Sequence, residues 1–442
     1  MVFADRAIFS AGTLILVLGA ARLASAQVAA PPHHPAPSSA ARDKQTLCLT
    51  CPPGREGAGT SWQPDTSHAH RHELQLGQWR ASAHAQLSLF QIDERGPRGG
   101  SGVFGAGHVA FTSRRTAAGG VFGIRTMWSI EPYMGSEGYP LLLQTGETAD
   151  GANPLVDRQH PHDFPMEIAV TYSRPLADER TFYVYLAAVG APALGPPPFM
   201  HRESAGGLPI SPVTHHWFDS THITFGVVTV GFVSSPRVKF EASVFRGREP
   251  DPDRWNLEPP GFDSFSARLS INPTDHLAIQ MSGGVLRNPE QLHPAADVGR
   301  LTVSAMYTRQ WDSWALASTA AWGRNSRSVS TLEVPGGFLI FPASVARAAL
   351  AEATLRWKHV GFVGRAEHAG KDELFGLTDP RHGVVYPVAR TTAGALFDLI
   401  NRERFIVTLG GALSWLQADS AIAAEYGRPG ASRLAFVGLT LR

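Results

Sequence analysis

One part of this chain holds most of the residues that could bind a metal ion or move a proton. Six of its 18 histidines lie between residues 132 and 224: His160, His162, His201, His215, His216 and His222. Asp157, Arg158, Asp163 and Asp219 stand among them. Imidazole and carboxylate together suit divalent transition metals, and His160-x-His162 on an extended segment would put both rings on one face. The ligands expected on this reading are His160, His162, His215 and His216, with copper or zinc as the ion. The competing reading has the same polar groups fixing two long loops by hydrogen bonds, into or over an opening. The scaffold reading is preferred, since Pro-rich loops with His, Asp and Arg often do this.

Other chemistry is weaker. Asp219-Ser220-Thr221-His222 has the residue types of a hydrolase triad. Adjacent residues of an extended segment alternate faces, however, and no Gly-x-Ser-x-Gly elbow surrounds Ser220. The chain is not expected to be an enzyme. Cys48-x-x-Cys51 could bind metal with His33, His34, His68, His70 and His72, or form a local disulfide, or be inert; two thiols alone do not complete a tetrahedral site.

The elements that must carry these groups follow from the chain's start. Arg6, the apolar stretch Ala7–Ala21 and the small residues Ala24-Ser25-Ala26 make a signal peptide over residues 1–26, cleaved after Ala26. Residues 27–76 are rich in Pro, Ala and His and are read as a flexible periplasmic tail. Residues 77–442 remain. A net charge of +1 offers nucleic acid no basic field, and two Cys do not make a disulfide scaffold.

That remainder reads as β throughout. Sixteen strand candidates are at 79–92, 104–113, 118–131, 166–174, 181–190, 221–233, 237–247, 262–272, 276–286, 300–311, 313–324, 346–357, 359–369, 390–400, 403–416 and 432–442. In the eighth, Phe265, Ala267, Leu269 and Ile271 oppose Ser266, Arg268, Ser270 and Asn272, a period of two. Short connections follow the even strands, from Arg114–Ala117 to Asn401–Arg402, and long ones follow the odd strands. This is the pattern of a transmembrane antiparallel β-barrel with short periplasmic turns and long extracellular loops. Aromatics such as Trp311, Trp314, Tyr172, Tyr183, Trp128 and Trp415 gather at strand ends, as interfacial girdles do. Arg125, Glu167, Lys239, Glu241, Arg268, Glu352, Arg356, Arg365 and Glu367 fall on the polar face. Gly247–Trp255 is either a salt-bridged outer turn or, with Arg246 and Arg248, a constriction. The chain ends in Arg442 where such barrels commonly end in an aromatic residue.

Four segments carry a resemblance: Tyr139–Asp163 (YPLLLQTGETADGANPLVDRQHPHD), Ala193–Arg202 (ALGPPPFMHR), Thr214–Thr229 (THHWFDSTHITFGVVT) and Phe245–Trp255 (FRGREPDPDRW). They resemble a porin-like family of Gram-negative outer-membrane β-barrel proteins associated with copper and heavy-metal efflux gene neighbourhoods. The likeness is close from Gly96 to Pro289 and looser to the C-terminus. It implies a fold and an outer-membrane location, and no proven activity. The expected function is porin-like passage of small polar or ionic solutes through a lipid-embedded barrel. The alternative is a non-conducting metal-binding or assembly protein using its His/Asp-rich loops. A homo-oligomer is compatible with either.

Overall fold

The computed structural model describes residues 46–68, 72–293, 295–334, 337–427 and 430–441. The expected signal peptide, residues 1–26, and residues 27–45 lie outside the described residues. Among the described residues, sixteen strands close into one antiparallel barrel, matching the sixteen expected one to one. The first eight barrel strands are β2 (Trp79–Glu94), β3 (Gly100–Ala117), β4 (Gly120–Ser129), β7 (Pro165–Pro175), β8 (Thr181–Gly190), β9 (Thr224–Ser235), β10 (Val238–Phe245) and β11 (Ser264–Thr274). The other eight are β12 (Leu277–Leu286), β13 (Val298–Trp311), β14 (Trp314–Arg327), β17 (Ser344–Trp357), β18 (Val360–Lys371), β19 (Tyr386–Asn401), β20 (Phe405–Ala418) and β21 (Ser432–Leu441). Each pairs with its neighbour. The barrel closes where β21 meets β2, in register from Ala85↔Leu441 to Asp93↔Arg433. β1 (His72–Leu76) continues that seam, pairing with Trp79–Ala83 below the point where β21 ends. The hairpins β5 (Tyr139–Thr148) with β6 (Pro154–Gln159), and β15 (Ser330–Val334) with β16 (Gly337–Phe341), stand apart from the wall.

The two faces of the wall differ as a membrane requires. Leu89, Val103, Phe240, Phe265 and Phe362 on the outer face are at least half exposed, whereas Lys239, Glu241, Arg268, Glu352 and Arg365 on the inner face are at most 5 % exposed. Apolar-out and charged-in is the reverse of a soluble sandwich, and it is the arrangement of a barrel in lipid.

Three local expectations change. β3 runs on to Ala117, so the turn read as Arg114–Ala117 is instead Ala118-Gly119. Both residues have positive φ, 49° and 74°, as a two-residue turn matched to strand twist demands. The first outer connection shrinks to residues 95–99, because β2 and β3 pair as far as Glu94↔Gly100. Tyr183 is not a girdle residue: it is 1 % exposed, and its hydroxyl donates to Glu241 inside the barrel.

The largest correction is to the tail. Residues 46–68, read as flexible, are folded against the inner wall at the short-turn end. Thr181 Oγ1 donates to the Cys48 carbonyl at 2.7 Å, Asn272 Nδ2 to the Gln63 carbonyl at 2.9 Å, and Thr66 Oγ1 to the Thr308 carbonyl at 3.0 Å. Cys48 and Cys51 form a disulfide within this segment. The barrel's inner Thr, Asn and Arg side chains, Arg114 and Arg268 among them, supply partners that this short Gly- and Pro-containing segment cannot find in a core of its own.

The placement of loops sets an orientation that can be tested. An epitope inserted within 328–343 should label on intact cells, and one between Pro236 and Arg237 should label only after permeabilisation. Reversed labelling would overturn the orientation.

Candidate functional site

The long connection 191–223 turns inward and crosses the lumen. At its start, the Ala193 and Gly195 N–H groups donate to Ser243 Oγ on β10 and Ser282 Oγ on β12, each at 2.8 Å. Further on, Arg202 reaches Glu352 on β17 (Nε–Oε1 2.7 Å) and Asp219 in its own loop (Nη1–Oδ2 2.8 Å), all three at 1 % side-chain exposure. Arg365 on β18 bonds Glu352 at 3.2 Å and the Ile210 carbonyl at 3.1 Å, and Thr214 donates its N–H and hydroxyl to Glu367, both at 3.1 Å. Buried ion pairs stabilise little against an apolar alternative, but they hold register, because losing one partner strands the other. The loop is tied to one wall by neutral hydrogen bonds and to another by charged ones.

Above it lies the β5–β6 hairpin. Every residue of β5 is buried, although among the described residues β6 is its only sheet partner. Lys371 Nζ donates to Gln144 Oε1 at 3.0 Å, Leu143 N–H to Asp157 Oδ1 at 2.7 Å, and Arg254 bonds both Asp163 and Glu147. Leu143, Glu147 and Asp157 all have positive φ, a costly backbone held by these contacts. Gly146 (φ 110°) is obligatory, since a Cβ there would sit 2.1 Å from the His216 ring. Burial pushes the Asp163 carboxyl up to about 7 against the pull of Arg254, and the Asp157 carboxyl up to about 6.

Between hairpin and crossing loop, three imidazoles converge. His162, His215 and His222, all buried, each offer one ring nitrogen, and the three nitrogens lie within 4.8 Å of one another. His215 Nδ1 hydrogen-bonds Asp219 Oδ1 at 2.7 Å, and His222 Nδ1 the Asp219 carbonyl at 2.6 Å. His162 Nδ1 lies 2.9 Å from Glu131 Oε2, in ion-pair range but without hydrogen-bond alignment. The short helix His215–Phe218 and the tight turn Ser220–His222 bring His215 and His222 to one side. Burial depresses the basicity of His222 strongly; for His215 burial also wins, partly offset by Asp219. Burial pushes the Asp219 carboxyl up, but His215 and Arg202 outweigh it and hold it below the usual range.

The four expected ligands therefore divide. His162 and His215 belong to the trio, while His222 replaces the other two. His160 turns to the Pro161 carbonyl (3.3 Å) and sits edge-on to His216. His216 instead neighbours Glu249 and Glu290, whose carboxylates with its ring form a second close group. His201 lies against His108, with ring centroids 4.7 Å apart and the planes tilted by 54°. Arg158 holds the Glu137 and Gly138 carbonyls, a scaffold role. Asp219, Ser220 and His222 are not linked to one another through their side chains: the Asp219 carboxylate bonds His215 and Arg202, His222 bonds the Asp219 backbone carbonyl, and Ser220 Oγ accepts from Arg300 at 3.0 Å.

Of the expected lumen residues, Arg125 pairs with Glu167 (3.1 Å), and Glu241 takes both Lys239 (3.1 Å) and Arg268 (2.9 Å). Arg356 pairs with Asp398 at 3.0 Å. Arg246 and Arg248 are not on the inner wall; they lie in the outer loop after β10, where Arg246 bonds Glu258 at 2.7 Å. Sequence reasoning missed Arg202, Glu56, Glu131 and the Arg390–Glu94 pair (2.6 Å). Arg202 sits in a loop, where no alternation marks an inward side, and Glu131, the last residue of the strand expected at 118–131, lies in a 3-10 turn beyond β4.

A cavity of about 420 Å³ opens at the short-turn end, lined in part by Glu56, His84, His201, Arg356 and Asp398. A void of about 30 Å³ follows, touching His108, Glu131 and His162, and one of about 10 Å³ is walled by His160, His162, His215 and His222. Space narrows stepwise toward the imidazoles.

No family model matches this chain, and no curated protein matches it. Among solved structures it is similar to the anion-selective porin from Comamonas acidovorans, at 11% identity over 82% of this chain and 99% of that one, with a TM-score of 0.50. It is similar also to Salmonella typhi OmpF in complex with daunomycin, at 11% identity, 84% and 99% coverage and a TM-score of 0.50. At such identity the likeness is one of fold: a closed, sixteen-stranded transmembrane barrel of porin architecture.

Proposed function

We propose that this protein is an outer-membrane channel of restricted bore, passing small ions rather than polar solutes at large. Sixteen strands suffice for an aqueous lumen unless loops fill it. The observation that carries the reading is the 191–223 crossing, bonded to Ser243 and Ser282 on one side and to Glu352 and Glu367 on the other. The inner charges are paired with one another or with inserted segments, so they act as fixed structure around a narrow path. A link to heavy-metal handling, implied by the resemblance, is supported by the imidazole-rich lumen.

Single-channel recording of the purified protein in a planar bilayer tests this. Steps should be well below those of an open sixteen-stranded porin recorded in the same membrane; steps of full porin size would refute the reading. A second reading, a non-conducting metal-retaining barrel, is favoured by the burial of the β5–β6 hairpin over the crossing loop. It requires no steps at all.

A further inference from the structure

We infer that His162, His215 and His222 form a three-imidazole site for a late first-row transition-metal cation, Zn²⁺ or Cu²⁺, within the barrel. The inference deepens the restricted-channel reading by naming the class of ion.

The donor atoms are identified by elimination. Nδ1 of His215 and of His222 is occupied by Asp219, and Nδ1 of His162 faces Glu131, which leaves Nε2 on each ring. The Nε2 atoms of His162 and His222 are buried and have no hydrogen-bond partner. A carboxylate or carbonyl behind Nδ1, with Nε2 free, is how metal-binding imidazoles are oriented. The rings are close: centroids of His162 and His222 are 4.9 Å apart, and those of His215 and His222 are 5.5 Å apart. Phe199 packs on both His162 and His215, fixing two rings from one side.

Space and charge agree with the donors. Metal–nitrogen bonds of about 2.0–2.1 Å would draw the three nitrogens together by about 1 Å. The adjoining void of about 10 Å³ holds roughly one water, the usual fourth ligand of an open three-His site. The Asp219 and Glu131 carboxylates stand behind the rings. Arg202 and Arg300 oppose the ion, but each is engaged, by Glu352 and Asp219 and by Ser220. Three neutral imidazoles select zinc or copper over magnesium or calcium, which take oxygen. Towards the open cavity, His108 and His201 continue the line of imidazoles, and His201 lines the cavity itself.

The test uses the full chain without a polyhistidine tag, in detergent, titrated with Zn²⁺ and separately with Cu²⁺ against a competing chelator. Saturable binding is expected, weakened at least about tenfold by His162→Ala and by His222→Ala, and unchanged by His359→Ala in an exposed turn. The copper-loaded protein should show hyperfine coupling to three nitrogens. Heat-modifiable gel migration verifies folding; should His222→Ala not fold, His222→Gln carries the same comparison. Absence of saturable binding overturns the site, as does binding that survives both substitutions in folded protein. Small conductance steps without metal binding overturn the site alone, and tight binding with porin-sized steps overturns the restricted-channel reading alone.

Discussion

Replacing Arg202 with Met should raise single-channel conductance several-fold while the barrel remains folded. Arg202 joins the crossing loop to the wall through Glu352 and to its own far end through Asp219, and it also donates to the Pro197 carbonyl at 3.0 Å. Removing one partner of a buried charged network costs about 3–5 kcal/mol. At about 1.4 kcal/mol per factor of ten, that raises the population of an undocked loop by roughly two to three and a half orders of magnitude. The wall is spared, because Glu352 keeps Arg365 and Ser204, and Asp219 keeps His215. Glu352→Gln, which keeps the shape and loses the charge, should open the channel less. Limited proteolysis offers a second readout, with new cleavage expected between Arg202 and Asp219 in the Met variant. Unchanged conductance and unchanged cleavage together would show that this network does not hold the loop.

Deleting residues 46–68 should leave a barrel that still inserts, unfolds at lower temperature, and conducts fully only when combined with Arg202→Met. The segment contributes nothing to the strand ladder, so closure does not depend on it. Its loss removes Glu56 from Arg114 (2.7 Å), Thr60 from Arg268 (2.9 Å), and Gln63 and Asp65 from Asn272. Each hydrogen bond to a charged group is worth about 1.5–3 kcal/mol, less where water floods in behind the departing segment. The crossing loop still obstructs the path after the deletion. The double change should therefore exceed the sum of the single changes, and strict additivity of conductance would mean that the two obstructions are not in series. Thermal shift and bilayer recording on the three variants decide this.

The wall was legible in the sequence because each strand meets two solvents. Lys239, Glu241 and Arg268 alternate with Phe240, Ala242, Ala267 and Leu269, a period of two that, with long and short connections taking turns, separates a polar lumen from lipid. The site was half legible. His162 and His215 stood out by type and neighbourhood, but pairing His160 with His162 assumed an extended segment. Pro161 lies between them, and the chain there follows hairpin and loop contacts that send His160 to His216. His215 and His216 are successive residues of a helical turn, so one ring joins the trio and the other points to Glu249 and Glu290. His222 enters through a tight turn that no periodicity announces. The folded segment 46–68 was hidden by its Thr, Gly and Pro content. Its only signals were Leu47, Leu49, Trp62 and the Cys pair, apolar residues out of place in a solvated linker; Trp62 is 5 % exposed and lies under the Arg55 and Lys239 cations.

The interior contacts join residues remote in the chain: Arg202 and Glu352 are 150 positions apart, Thr66 and Thr308 are 242, and Glu94 and Arg390 are 296. Contacts of such separation form late, since long loop closures must come first. Segment 46–68 thus waits for strands made long after it, and β21 has to meet β2 before the lumen has a boundary. Until then Arg202 stands apart from Glu352, and Arg390 from Glu94. Their pairing follows the placing of the wall strands that carry them, so the ion pairs that fasten the lumen are a product of the wall and not a condition for it.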